Sequence, residues 1–211
     1  MKSNMKTLMR LLIGFILCSS STVFMLNSNL GLSPWDVFHQ GISNVTGITI
    51  GQANIITGVI FVVVGMFCGQ KLGIGTILNM ILIGQFVDWI MYLDIIPKSN
   101  NIVTGIIMMI IGMLTMGYGC YLYISCGWGC GPRDGVMVVL SKVLNKNIKH
   151  VRAGMEIIVL IIGIFLGGTM GLGTVISAIF LGYSMQLVFK LKNFDVSKVE
   201  HKSIINIKFN D

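Results

Sequence analysis

Charge is scarce in this sequence: Asp, Glu, Lys and Arg make up 11% of its 211 residues, against roughly 25% in an ordinary soluble domain. So few charges cannot keep the surface of a globule wet, which argues against a soluble enzyme, a nucleic-acid binder and a disulfide-stapled secreted domain. Histidine is scarce as well. His39, His150 and His201 are dispersed and form no Ser-His-Asp or paired-His pattern. Of five cysteines, Cys18, Cys68 and Cys120 lie in or near apolar runs, where cysteine acts as a small hydrophobe. Cys126 and Cys130 have no neighbouring His or second Cys pair, which is poor zinc-site spacing. No metal, no cofactor and no enzymatic activity are therefore expected.

What is abundant is apolar sequence: 54% of residues are hydrophobic and the mean hydropathy is +0.84. Crossing a hydrocarbon core takes about 20 apolar residues. Six stretches qualify: Leu11–Leu30, Ile50–Cys68, Ile74–Leu93, Ile102–Ser125, Ala153–Met170 and Leu172–Leu191. Runs this apolar, without the alternation of a barrel strand, must be helices, because lipid offers no partner to an open backbone. The first run, with Lys2, Lys6 and Arg10 ahead of it and Cys18-Ser19-Ser20-Ser21 inside it, resembles a cleaved signal. Retention is the better reading, since apolar sequence resumes at Val23 and Leu17 before Cys18 is not small.

The net charge of +7 then has a topological explanation. With six spans and cytoplasmic N- and C-termini, fourteen of the fifteen Lys and Arg fall inside and only Lys98 falls outside. Nucleic acid is not needed to account for the basic balance.

A single offset of 98 residues aligns the chain with itself without a gap over 56 positions, 15 of them identical. Gly31, Pro34 and Asp36 fall on Gly129, Pro132 and Asp134; Gly65, Phe67 and Gly69 fall on Gly163, Phe165 and Gly167. Gly73, Gly75, Thr76 and Gly84 fall on Gly171, Gly173, Thr174 and Gly182. The expected organisation is an all-α membrane protein of two three-span repeats, 1–98 and 99–192, followed by a polar cytoplasmic tail, 193–211. An odd number of spans per half sends the second half in from the opposite side. The charges agree: residues 32–49 carry no Lys or Arg, whereas 130–147 carry Arg133, Lys142 and Lys146. Inverted repeats are a recurring architecture of secondary transporters.

Between the first two spans of each half lies a short segment, Ser33-Pro34-Trp35-Asp36 or Gly131-Pro132-Arg133-Asp134. Each reads as a helix start, with an N-cap residue, Pro in the first turn, and Asp to accept orphan N–H bonds. At about 13 residues each helix is too short to span. Two readings stand: an amphipathic helix lying in the interface, or a re-entrant half-helix whose positive end faces a solute or ion. Arg133 favours an anionic or zwitterionic ligand, and Trp35 reads first as an interfacial anchor. The Gly73-Ile-Gly75-Thr76 and Gly171-Leu-Gly173-Thr174 motifs read as a tight turn and Thr cap with close packing, ahead of an unwound cavity lining.

Ionisable groups inside spans are functional candidates. Asp88 lies toward the outer end of the third span with no evident partner in sequence, which ranks it above Glu156 for coupling. Glu156 is four residues past Arg152, and a structural ion pair is the first reading for those two. Asn54, Asn79, Gln85 and Gln186 add polar groups that could line a path.

The runs Gly31-Leu-Ser-Pro-Trp-Asp-Val-Phe and Gly129-Cys-Gly-Pro-Arg-Asp-Gly, with the Gly-x-Gly-Thr turns, resemble the YczE-like branch of the YitT family (YczE/YyaS/YitT) of bacterial integral membrane proteins. The resemblance covers about residues 7–190. It implies a bacterial plasma-membrane protein of largely unassigned biochemistry and supplies neither substrate nor catalytic residues. The leading expectation is a secondary transporter or exporter of a small solute in the lipid bilayer. The alternative is a membrane scaffold or regulator whose basic loop, 133–152, docks a protein partner or a second copy.

Overall fold

The computed structural model describes residues 2–67, 73–129, 131–146, 148–195 and 198–199. The turn residues Gly69-Gln70-Lys71, together with Cys68, Cys130, Asn147 and most of the tail, lie outside them. Among the described residues the regular elements are all helical. They are α1 (Lys2–Asn27), α2 (Pro34–Thr46), α3 (Ile50–Phe67), α4 (Ile74–Tyr92), α5 (Ile102–Ile124), α6 (Pro132–Val143), α7 (Ile148–Phe165) and α8 (Leu172–Leu191).

Local chemistry sets these boundaries. Ser33 caps α2, its Oγ accepting from the Asp36 amide at 3.3 Å, and Gly47 closes that helix at φ 76°. Asn101 caps α5 through its Oδ1, which accepts from the Thr104 amide at 2.9 Å. Such side-chain caps satisfy amides that a helix start leaves open.

Five helices, α1, α3, α4, α5 and α8, are long and apolar enough to cross a membrane. The sixth expected span is placed differently: α7 begins at Ile148 and ends at Phe165, ahead of the Ala153–Met170 reading at both ends. Asn145 at φ 49° turns the chain soon after α6, and Gly167 at φ 83° follows the close of α7. The helix therefore carries Lys149, Arg152 and Glu156 in its first half and is not one of the five.

Helices α4, α1, α5 and α8 form a row, with α1 and α5 in the middle. Helices α2, α3, α6 and α7 form a ring in which each packs on the next. The row is held by close approach: a Cβ on Gly14 would sit 3.0 Å from the Gly119 carbonyl, and one on Gly112 3.3 Å from the Ser21 carbonyl. Ser21 Oγ also donates to the Gly112 carbonyl at 2.6 Å. Small residues at such crossings let backbones meet where lipid gives no hydrophobic drive to association. Around this crossing Leu11, Phe15, Cys18, Cys120, Tyr123 and Ile124 are buried together. The outward faces stay apolar, with Ile56, Ile60, Ile106, Ile110, Ile158 and Phe180 exposed, as a lipid-facing surface requires.

Helices α6, α7 and α8 start at 132, 148 and 172, each 98 residues after α2, α3 and α4. The fine structure follows the same offset. The Gly75 amide donates to the Trp128 carbonyl at 2.8 Å, and the Gly173 amide donates to the Leu30 carbonyl at 2.7 Å. Gly31 and Gly129 have φ of 120° and 127°, and a Cβ on either would collide with the Thr174 or the Thr76 hydroxyl. Packing partners cross over in the same way, α2 against α7 and α6 against α3. One feature departs from the pattern. Helix α3 packs along α4, whereas among the described residues α7 and α8 touch at most marginally.

Candidate functional site

The ring brings the starts of the two short helices together. α2 is wedged against α7 and α3, with Pro34, Asp36, Val37, His39 and Gly41 buried. Only glycine fits at position 41, because a Cβ there would reach within 2.6 Å of the Gly163 carbonyl. α6 enters from the other half, against α3 and α7. It carries Arg133 in its first turn, directly after Pro132.

Arg133 reaches out of its own helix to three groups. Its Nη2 donates to Asn54 Oδ1 on α3 at 2.8 Å and lies 3.3 Å from His39 Nε2 on α2. Its guanidinium carbon stands 4.4 Å from the centroid of the Trp35 ring, a cation–π contact. Trp35 and Arg133 occupy corresponding positions, 98 residues apart, so the two helix starts touch through their own equivalents. The Trp35 ring is steadied by Phe61, edge-on at 5.4 Å.

The hydrogen bonding orders itself from the arginine outward. A guanidinium only donates, so His39 bonds it through an accepting Nε2 and carries its proton on Nδ1. Nδ1 faces Asp36 Oδ1 at 3.9 Å, and Asp36 Oδ2 accepts from Ser33 Oγ at 2.5 Å. His39 is 1% exposed and Asp36 6%, so this chain from Ser33 to Arg133 is shielded from bulk solvent. The direct partners of Arg133 among the described residues are thus an amide, an imidazole and an aromatic face. The three ion pairs found there do not include it.

Asp134, next to Arg133, faces the row. Its Oδ2, the Tyr123 hydroxyl and Asn79 Oδ1 all surround Gly131, within 3.8 Å of where its Cβ would stand. Asn54 and Asn79, read from the sequence as lining candidates, therefore flank the α6 start from α3 and α4.

Asp88 is placed elsewhere. Its Oδ2 accepts from Thr49 Oγ1 at 2.5 Å and its Oδ1 from the Gly51 amide at 2.9 Å, so it caps the start of α3. The partner missing from its own neighbourhood in sequence is supplied 37 residues away by the packing of α3 on α4. Glu156 accepts from Arg152 Nε at 3.0 Å, the helical ion pair expected of that spacing. Thr76 and Thr174 are 1% and 0% exposed, and Thr174 Oγ1 accepts from the Gly171 amide at 3.1 Å, a packed cap with no cavity lining.

Sequence reasoning read Ser33 as an N-cap only, passed over His39 and took Trp35 for a membrane anchor. The spacing of Asp36 and His39 held the signal for His39, since residues three apart share a helix face. For Trp35 the only clue was that its counterpart is Arg133.

Two hollows lie away from this cluster. One of about 390 Å³ opens between α5 and α8, lined by Ile110, Met113, Leu114 and Phe180 among others. The other, of about 300 Å³, lies beside Ser28 and Asn101.

Comparison with known proteins agrees with this membrane-embedded picture. Over 174 residues the chain is 36% identical to the uncharacterized membrane protein YczE of Bacillus subtilis (strain 168), covering 80% of each chain. It is 35% identical over 164 residues to an uncharacterized protein of Haemophilus influenzae, covering 78% of this chain and 74% of the relative. To the uncharacterized protein YyaS of Bacillus subtilis (strain 168) it is 24% identical over 167 residues, covering 78% and 83%. No solved structure matches the chain. The family of unknown function DUF6198 matches residues 5–190, and the chain belongs to it.

Proposed function

We propose that this protein is a secondary transporter or exporter of a small solute bearing an acidic group, built from two inverted three-span halves with α7 as the sixth span. One observation carries the reading: two short Pro-started helices, 98 residues apart in sequence, meet with Trp35 stacked on Arg133. Half-helix starts that converge at the boundary between repeats are how several secondary transporters hold anionic groups. Arg133 is suited to this role because its direct partners, Asn54, His39 and Trp35, are neutral, so a carboxylate or phosphate would be the first anion bonded to its guanidinium. Asp36 and Asp134, one at each helix start, offset the charge when no solute is bound and would meet an amine on a zwitterionic one.

This reading carries the rest with it. The positive-inside distribution puts both termini in the cytoplasm and the membrane is the bacterial plasma membrane. The chemistry is movement of solute and not catalysis. The wider YitT grouping implied by the shared motifs belongs to the same inference.

Ligand binding tests it first. The detergent-solubilised full chain is heated with each of a panel of small carboxylates, amino acids, phosphate esters and inorganic phosphate. Ligand at 100 times its dissociation constant stabilises the folded state by about 2.7 kcal/mol. At least one acid-bearing compound should raise the melting temperature of the wild type and leave Arg133→Ala unmoved. Equal shifts in both proteins, or no shift with any compound, would count against the site and favour the scaffold reading.

A further inference from the structure

We infer that the α7–α8 seam is a gate that closes on the pattern already set by the α3–α4 seam. The inference rests on the inverted-repeat reading and goes beyond it by naming which contacts break and which form.

The two seams are built from corresponding residues in different states. In the closed α3–α4 seam, a Cβ on Gly84 would come within 2.5 Å of the Gly51 carbonyl and 2.6 Å of Ile55 Cγ1. A Cβ on Gly58 would reach within 2.5 Å of Met80 Cγ. The counterpart on α8 stands open: nothing lies within 4 Å of a Cβ on Gly182, which corresponds to Gly84. The side chains that would fill the second seam differ in size from those in the first. Gly58 and Met80 correspond to Glu156 and Ala178, so in this pair the large partner sits on α4 in one seam and on α7 in the other. Ile55 and Gly84 correspond to Ala153 and Gly182, two small residues that leave room for α7 and α8 to approach.

The remaining contacts define what moves. α8 belongs to the row, where Ser184 Oγ donates to the Met113 carbonyl at 2.8 Å. α7 belongs to the ring, where Asn44 Nδ2 donates to the Gly167 carbonyl at 2.7 Å and Gly163 lies against the Phe38 backbone. Both α4 and α8 are pinned at their starts by the paired bonds to the Trp128 and Leu30 carbonyls, which serve as pivots. Rocking the ring about these pivots closes α7 on α8 as it parts α3 from α4. Asp88 is the latch of the closed seam, bonded across it to Thr49 and Gly51. Its counterpart is Gln186, which carries no charge. Interfaces of packed helices switch between discrete arrangements rather than deforming continuously, so the two seams should exclude one another.

The test is disulfide trapping in native membranes, with the full chain in a background lacking its own cysteines. Gly58→Cys with Met80→Cys reports the closed seam and shows that the background folds. Glu156→Cys with Ala178→Cys, and Ala153→Cys with Gly182→Cys as a second pair that spares the Arg152 ion pair, report closure of the gate. Ile158→Cys with Ile176→Cys, at the same depth but facing lipid, is the control. Both gate pairs should cross-link severalfold above the control, and adding Asp88→Asn should raise their yield while lowering that of the 58–80 pair. A 58–80 pair that forms fully while both gate pairs stay at control level, with or without Asp88→Asn, overturns the gate. The underlying reading fails separately, if cysteines at Thr46 and Leu144 label from the same side of the membrane.

Discussion

At the residue scale the centre of the molecule is one arginine resting on one tryptophan. A desolvated cation–π contact contributes roughly 2 kcal/mol, and truncating a packed aromatic costs roughly 3–5 kcal/mol. Trp35→Phe should therefore lower stability by about 1 kcal/mol and Trp35→Ala by about 3 kcal/mol or more, read as the melting temperature in detergent. Arg133→Lys keeps the charge but loses the flat face and the forked donors to Asn54 and His39. It should bind acid-bearing solutes more weakly than wild type while remaining folded. Asp88 behaves differently, as a cap: Asp88→Ala should cost about 0.5–2 kcal/mol, and Asp88→Asn somewhat less, since it keeps one of the two accepting oxygens and loses the other bond. A larger effect of either on ligand affinity than on melting would move Asp88 into the solute site. In the sequence, Arg133, Asp36 and Asp134 stood out through the paired Pro-Asp segments, and Asn54 because amides are rare in apolar runs. His39 and Trp35 did not, because their significance lies in contacts made 94 and 98 residues away.

At the element scale, glycine and proline punctuation made the helices legible. Pro34 and Pro132 begin α2 and α6 as the sequence indicates, and the Gly-x-Gly-Thr turns begin α4 and α8. The offset also forecasts matched consequences. Gly31→Ala and Gly129→Ala each place a Cβ at positive φ against a threonine hydroxyl, and each should destabilise by on the order of 1–3 kcal/mol. A large loss at one and none at the other, by thermal unfolding, would separate the two turns. What sequence could not supply was the depth of α2, since a 13-residue amphipathic helix reads the same at an interface or inside a bundle. The crowding of Gly41 against Gly163 shows that it packs tightly on α7. Nor could hydropathy place α7, whose charged first half blurs its lower boundary. For the inverted reading, an impermeant maleimide added outside should label Thr46→Cys, at the end of α2, and spare Leu144→Cys, its counterpart just past α6. Labelling of both would set the halves parallel.

At the scale of the whole molecule, scarcity of charge put the chain in lipid and the 98-residue offset divided it in two. Neither says how the halves are arranged. That comes from a row of four helices and a ring of four that, among the described residues, pack closely along α3 and α4 and scarcely along α7 and α8; on the proposed inverted-repeat reading the two halves occupy different states. An asymmetric state of a symmetric scaffold is what a carrier needs in order to face one side at a time.

Solute counterflow in proteoliposomes tests that claim most directly. Vesicles containing the full chain are preloaded with an unlabelled compound from the acid-bearing panel, and uptake of the same compound, radiolabelled, is followed in wild type, Arg133→Ala and protein-free vesicles. Wild type should take up label transiently above its outside concentration, with Arg133→Ala no faster than protein-free vesicles. Arg133→Ala exchanging at the wild-type rate, or wild-type vesicles exchanging no member of the panel, would contradict the account.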